Sequence, residues 1–555
     1  MLFRSMKIIR ILSIFVVLAT FSYSAFCQES FGGRPLSETR TSLSLDVPVW
    51  ELPATTPLDE VKGETHDKGQ ALRIGRVEPV KLSMSNAGRT DRMANGDVVW
   101  RLGFHSEGAF AMNLSFSKFN IPEGAELYVY NADRSFTIGK FTSANTMDGN
   151  IFFTQDVAGD LIYIEYFEPH NAAFEGTIEI EDVGICERNL FGHMKGAIGD
   201  AVGDCHIDVT CPEAAGWTDQ INSVVCYTFR EQGYTYMCSG AMINNTKQDR
   251  RPYVFTAAHC YSAFATNYVF YFNYQTYACG GNYGNYSNTA TGATKRAMGD
   301  IEKSSDFLLL EITGALSPSW RDKVYFAGWD RSTNTPTTGI AIHHPGGDWK
   351  KVSIPKSVGK NNLRAHFWEV SWITGSNNKG TTEQGSSGSP LFNASKRIVG
   401  SLSHGTSSCE YEDEYAVGPV GKDYYGQLAW SWTNNNTSSS AAKLQPWLAP
   451  GNASIMSLNG IYYSDATQID SPETQTPTIK IFPNPTDGHL TLQGEFKAHN
   501  GTVRLFNLLG ELVYTQDVNI QNDIILNIDG VEHGIYIIEL LEGDNIHRNK
   551  LIITR

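Results

Sequence analysis

Three short strings carry the groups that an activated nucleophile needs. T-A-A-H-C ends at Cys260 and presents His259; S-S-D-F-L-L-L-E presents Asp306; G-S-S-G-S-P presents Ser387. A serine hydroxyl attacks poorly at neutral pH. It gains power from a base within hydrogen-bond reach and a third group that orients the base. His259 is the base, Asp306 its orienting carboxylate and Ser387 the nucleophile. Gly385 and Gly388 flank the serine, and small residues allow a sharp turn close to a substrate carbonyl. Such a turn aims the amides of Gly385 and Ser387 at one point, an oxyanion hole.

The flanking residues predict what holds these groups. Tyr253 to Phe255 reads as a buried strand leading into His259, and Phe307 to Leu310 as an apolar strand leaving Asp306. The chain order is histidine, aspartate, serine, the order of the chymotrypsin group. The intervals fit two six-stranded barrels, the first carrying His259 and Asp306 and the second Ser387. The chain thus resembles the trypsin-like serine proteases. A finer resemblance rests on G-D-C-H-I-D-V-T-C-P-E (Gly203 to Glu213), I-N-N-T (Ile243 to Thr246), F-N-Y-Q (Phe272 to Gln275), F-A-G-W-D-R (Phe326 to Arg331), A-I-H-H-P (Ala341 to Pro345) and S-S-C (Ser407 to Cys409). With the histidine and serine strings, in this order, they are similar to the bacterial lysyl endopeptidases.

That resemblance implies a secreted endopeptidase that needs no cofactor or metal and acts on proteins or peptides after lysine. It implies disulfides Cys205–Cys409, Cys211–Cys279 and Cys238–Cys260; the sequence by itself leaves the pairing open. Cys226 is then left over, and Cys186 falls in the preceding region. It also implies a pocket carboxylate in a D-x-Y-G string, matched by Asp423 in G-K-D-Y-Y-G. The position that carries the pocket aspartate in trypsin is Thr381, and the aspartate of trypsin's activation switch is replaced by Ser386, so specificity and activation differ from trypsin's. His404 stands one position late in L-S-H-G relative to the family's L-H-G. In a regular period-two strand this flips it to the other face. A histidine at that distance after the serine also resembles the pocket histidine of glutamyl endopeptidases, which makes glutamate the rival specificity. The adjacent His343 and His344 read as structural, on opposite faces of a strand.

The rest of the chain frames an exported, almost all-β protein of 555 residues and net charge −15, a balance that argues against nucleic acid or an anionic membrane as partner. Lys7 and Arg10 precede an apolar run from Ile11 to Phe21, then small residues up to Cys27: a signal peptide over residues 1–27. That run is too short for a comfortable membrane span, and no other stretch could cross a membrane. Residues 28–195 alternate like a β-sandwich and resemble the pro-regions of exported proteases, which makes the precursor a zymogen; an accessory binding module is the alternative. H-M-K-G-A-I-G offers Lys195–Gly196 as the processing bond. The protease domain is expected over 196–450, a linker over 451–478 and an immunoglobulin-like sandwich over 479–555. The last segment, with I-K-I-F-P-N-P-T-D-G and V-R-L-F-N-L-L-G-E-L-V, resembles the C-terminal sorting domain of the type IX secretion system. This implies that export machinery as a partner and a secreted or cell-surface location. A catalytically inactive adhesin on a protease scaffold is the reading from a different class.

Overall fold

The computed structural model describes residues 33–40, 43–56, 58, 68–146, 151–190, 205–264, 267–300, 302–373, 379–407, 409, 421–433, 439–464, 480–494, 500–507, 512–520, 523–528, 530–542 and 545–554. The expected signal peptide, the Lys195–Gly196 bond and residues 465–479 lie outside them. The chain forms two compact units, divided after Asp465.

In the first unit, the N-terminal region is a two-layer sandwich. One layer holds the strands Val49–Glu51, Val98–His105, Leu161–Glu168, Glu126–Asn131 and Thr137–Phe141; the other holds Leu72–Ser83, Thr177–Cys186 and Ala111–Asn120. Between them pack Trp100, Leu102, Phe104, Leu114, Phe116, Ile164, Ile180 and Val183. The sandwich is not the separate region expected from the sequence. Leu72–Ser83 pairs with Thr177–Cys186 along one edge and with Tyr234–Met242 of the following barrel along the other. One twelve-stranded sheet therefore runs from the sandwich into the barrel that follows it.

The first barrel joins Val224–Glu231, Tyr234–Met242, Tyr253–Thr256, Val269–Phe272 and Phe307–Ile312. The run from Thr289 to Gly299 closes it: Thr289–Thr291 pairs with Val269–Phe272, and Ala293–Gly299 pairs with Phe307–Ile312. The second barrel closes in the same way. Lys351–Ser353 pairs with Gly339–His343, and Pro355–Lys360 pairs with Phe367–Trp372. Pro390–Asn393, Ile398–Gly405 and Asp423–Gln427 complete the circle. Closure removes exposed strand edges and fixes the loops at one end of each barrel. Residues 451–464, expected as linker, instead add to the double-barrel region: Ser457–Leu458 pairs with Trp329–Asp330, and Ile461–Tyr462 with Tyr325–Phe326.

The second unit is a small sandwich of a three-stranded sheet (Lys480–Phe482, His489–Gln493, Asp523–Asn527) and a four-stranded sheet (Leu512–Asn519, Asn500–Phe506, Gly534–Glu542, Asn545–Ile553). Leu490, Leu492, Val503, Leu505, Leu526, Ile538 and Leu551 fill it. Burial alternates strictly along Asp523–Asn527, the period-two pattern that marks a strand with one face in a core.

Candidate active site

Strand pairing brings His259 to Asp306. Tyr253–Thr256 runs antiparallel to Phe307–Ile312 with Thr256 opposite Leu308, so the end of one strand lies beside the start of the other. His259 follows in a short 3-10 turn, Ala258–Cys260, tied to Tyr234–Met242 by the Cys238–Cys260 disulfide. Asp306 takes a left-handed backbone, φ 51°, which aspartate tolerates better than most residues. Its Oδ2 lies 2.7 Å from His259 Nδ1, and its Oδ1 accepts from the His259 amide at 3.0 Å. Ser403 Oγ donates a further bond to Oδ2 at 2.7 Å. An ionised carboxylate only accepts, so Nδ1 carries the proton and Nε2 presents a lone pair. That Nε2 is buried and has no hydrogen-bond partner among the described residues.

The Ser387 turn is pressed against the first barrel. The Ser239 amide donates to the Ser387 carbonyl at 2.8 Å. A Cβ on Gly388, whose φ is +80°, would stand 2.0 Å from Thr256 Oγ1. Only glycine meets both conditions. Ser386, where trypsin-like enzymes carry an aspartate, is buried against His343. The His343 Nε2 is 2.8 Å from Ser353 Oγ, which itself donates to the Thr381 carbonyl, so the histidine donates there and its Nδ1 accepts from Ser386 Oγ at 2.7 Å. Burial holds His343 and His344 well below the usual histidine range, which keeps both neutral. Their rings part as expected, His344 stacking on Tyr274.

The Ser387 hydroxyl does not point at His259. It donates, at 3.0 Å, to the carbonyl oxygen of Lys68, from the N-terminal region. The side chain of that lysine enters a pocket in the second barrel. Its ammonium donates to Asp423 Oδ1 at 2.9 Å, Ser407 Oγ at 2.7 Å and Thr382 Oγ1 at 3.1 Å. The other carboxylate oxygen, Oδ2, accepts from Trp372 Nε1 and Thr382 Oγ1, both at 2.6 Å, and from Ser407 Oγ. Every proton of the ammonium has an acceptor and both carboxylate oxygens are engaged, as a buried ion pair requires. Lys68 is 3% exposed and Asp423 wholly buried. Burial pulls the Lys68 pKa below its ordinary value, with Asp423 opposing the shift. The pocket wall is tight, since a Cβ on Gly405 would stand 2.0 Å from Asp423 Oδ1.

His404 follows a register shift between Leu402 and His404 against Asp423–Gln427. A bulge at Ser403 thus absorbs the extra residue of L-S-H-G, and the expected flip does not describe this strand. The ring stacks on Tyr424 at 4.8 Å and meets the edge of Phe367 at 5.2 Å. Its Nδ1 is 3.0 Å from Ser403 Oγ, and none of the bonds to Lys68 comes from it. The three disulfides implied by the family resemblance are all formed, and Cys186 and Cys226 are buried free thiols. The two cysteine-histidine clusters, Cys205-His206-Cys409 and Cys238-His259-Cys260, each hold a disulfide and so lack thiolates for a metal. The sequence did not single out Lys68, Trp372, Thr382, Ser403 or Ser407 as site residues. Ser403 and Ser407 do lie within the L-S-H-G and S-S-C strings, which bear on His404 and on the family resemblance.

Two closed β-barrels with a histidine–aspartate pair on the first and a serine turn on the second define a chymotrypsin-like double-barrel protease fold. The kinship narrows further. Residues 198–426 match the family model described as "Lysyl endopeptidase, C-terminal domain", and residues 480–554 the one described as "Secretion system C-terminal sorting domain". A lysyl endopeptidase of Pseudomonas aeruginosa is 26% identical over 321 residues, 54% of this chain and 66% of that protein. An ulvan lyase of Nonlabens ulvanivorans is 35% identical over 92 residues, 16% of this chain and 17% of that protein. Among solved structures, the protease Anisep from Arthrobacter nicotinovorans is similar at 17% identity and a TM-score of 0.31, over 43% of this chain and 99% of its own. A Glu endopeptidase is similar at 18% and 0.27, over 41% and 95%.

Proposed function

We propose that this protein is an exported serine endopeptidase that hydrolyses peptide bonds after lysine. The observation that carries the reading is the seating of Lys68, with its ammonium on Asp423 and its carbonyl oxygen 3.0 Å from Ser387 Oγ. A lysine side chain fills the pocket while the bond that follows it lies at the nucleophile.

In the reaction, the Ser387 hydroxyl turns to His259 Nε2 and gives up its proton as it attacks the substrate carbonyl carbon. Asp306 holds the imidazole by Nδ1 and stabilises its charged form, and Ser403 and the His259 amide hold Asp306. The amides of Gly385 and Ser387 receive the oxyanion. The imidazolium then protonates the departing amine, and water hydrolyses the acyl ester by the same path reversed. An ammonium's three donors match the pocket's three acceptors, whereas a planar guanidinium would leave some of them unmet.

Export fits the C-terminal sandwich, read as an address for the type IX secretion machinery, with a secreted or cell-surface destination. Labelling of Ser387 by a fluorophosphonate, followed by mass-spectrometric mapping of cuts in a mixed peptide library, tests the reading. Labelling with cuts after lysine supports it. Cuts after glutamate favour the glutamyl rival, and processed protein that takes no label favours an inactive adhesin.

A further inference from the structure

Lys68 is a residue of this same chain, 319 positions before Ser387. The chain beyond it is held as a substrate is held. Leu72–Ser83 adds to the first barrel beside Tyr234–Met242, with Leu72 opposite Met237 and Arg73 opposite Tyr236. Strand addition of this kind is how extended peptides dock on sheets. Leu72 also reaches the serine turn, where its Cδ2 would be 3.1 Å from a Cβ placed on Gly385. The residue after the bond is Gly69, which brings no side chain to the leaving side.

We propose that the Lys68–Gly69 peptide bond is the protease's own substrate, cut within the same molecule. This rests on reading the site as a lysine-specific peptidase. The Ser387 oxygen bonds to the Lys68 carbonyl carbon, and its proton passes to His259 Nε2. The carbon–nitrogen bond to Gly69 breaks as that proton moves to the Gly69 nitrogen. One water then adds to the ester, leaving a Lys68 carboxylate, a Gly69 amine and a restored Ser387.

The cut by itself frees neither flank. Upstream, Val49–Glu51 pairs in parallel with Val98–His105; downstream, Leu72–Ser83 stays in the shared sheet. The nicked N-terminal region therefore remains attached under native conditions, with the new lysine terminus beside the pocket. The Lys195–Gly196 bond offers the same dipeptide, and a cut there would sever the chain between the N-terminal region and the barrels while the shared sheet still holds the two together. The Lys68 cut is thus an internal nick, distinct from that boundary.

The test uses the full-length chain in four forms: unaltered, Ser387→Ala, Lys68→Gln and Gly69→Pro. Fragments are sequenced from the N-terminus after native purification and denaturing separation, and a lysyl peptide amide reports activity on an added substrate. The expected result is a fragment beginning at Gly69 in the unaltered chain and in none of the variants, co-eluting with its partner until denatured. Lys68→Gln keeps activity on the added peptide, and its Ser387 takes a fluorophosphonate faster in the precursor, by about tenfold or more, because the pocket is vacant. Gly69→Pro keeps the lysine seated and labels slowly. A chain that cleaves the added peptide while Lys68–Gly69 stays intact overturns this inference and leaves the site's assignment standing. A chain that cleaves neither overturns the assignment itself. A Gly69 terminus in Ser387→Ala assigns the cut to another protease and also overturns the inference.

Discussion

Lys68 and Asp423 are 355 residues apart in the chain and 2.9 Å apart in space. Neither charge is wet, so each depends on the other. Taking either partner away leaves an isolated buried charge, which costs about 3–5 kcal/mol in comparable pairs. The relationship links the N-terminal region to the pocket and is the contact on which the proposed lysine preference rests.

Asp423→Asn removes the charge and keeps the shape. The expected outcome is a fall in kcat/KM for lysyl substrates of about 10²- to 10⁴-fold, the kinetic equivalent of an unpaired buried ammonium. Cleavage after an uncharged residue of similar length, such as methionine, falls much less. Steady-state kinetics on paired peptides checks this, and lysyl activity within tenfold of the parent counts against the pocket assignment.

Trp372 donates to Asp423 Oδ2, the carboxylate oxygen that the lysine does not bond. Trp372→Phe preserves an aromatic body beside Tyr425 and deletes one bond to a charged acceptor. Such bonds are worth about 1.5–3 kcal/mol, so kcat/KM for lysyl substrates drops by about 10- to 100-fold. Discrimination between lysine and arginine narrows as well, because the carboxylate is then held by Thr382 and Ser407 alone on its Oδ2 side. A thermal melt in parallel separates this from unfolding, and an unchanged lysine-to-arginine ratio argues that the indole only packs.

His404 is the residue on which the rival glutamyl reading rests. Burial, then Arg364, push its pKa below the usual histidine value, against the pull of Asp306 and Asp423. A neutral ring offers no charge to a glutamate side chain. Peptides with glutamate before the scissile bond therefore stay uncut from pH 7 to 8. His404→Gln lowers lysyl kcat/KM by no more than about tenfold, the worth of one neutral bond to Ser403. Glutamyl cleavage that strengthens as pH falls towards 5 would reverse the choice.

The candidate catalytic groups stood out in the sequence because each sits at the mouth of a strand or in a turn whose neighbours are unusual. Four apolar residues follow Asp306, small residues surround Ser387, and a buried strand precedes His259. The pocket was legible only at Asp423. Trp372 lies in an ordinary-looking strand, and its role is a matter of register against Asp423–Gln427, where Val370 faces Asp423. The L-S-H-G string misled for a definite reason. One extra residue reads as a flipped face in a regular strand, but a bulge at Ser403 takes it up and turns Ser403 onto Asp306. Lys68 was beyond reach, since nothing in K-G-Q-A-L announces a partner more than three hundred residues away. The shared sheet was hidden likewise: Leu72–Ser83 alternates like any strand, and alternation does not say that both its edges are used.

Lys350 gives the protein a stability that depends on pH in a definite window. Its ammonium is wholly buried and donates to the Ile221 carbonyl at 2.8 Å, with no carboxylate on it among the described residues. Burial pushes its pKa down to about 7 from 10.5. The next residue behaves oppositely: burial pulls at Lys351 too, but Asp348 and Asp208 outweigh it, so its pKa is raised. Between about pH 7 and 10.5 the unfolded chain keeps a proton on Lys350 that the folded chain has lost. Stability therefore rises with pH across that window, by about 1.4 kcal/mol per unit from this group, and flattens below it. Lys350→Met, made in a Ser387→Ala background to prevent self-digestion, removes this slope. Urea unfolding of the pair at pH 7, 8.5 and 10 should show the Met form gaining most over the parent at pH 7 and least at pH 10. A constant difference across the three would mean that Lys350 stays protonated in the fold, held by partners other than Ile221.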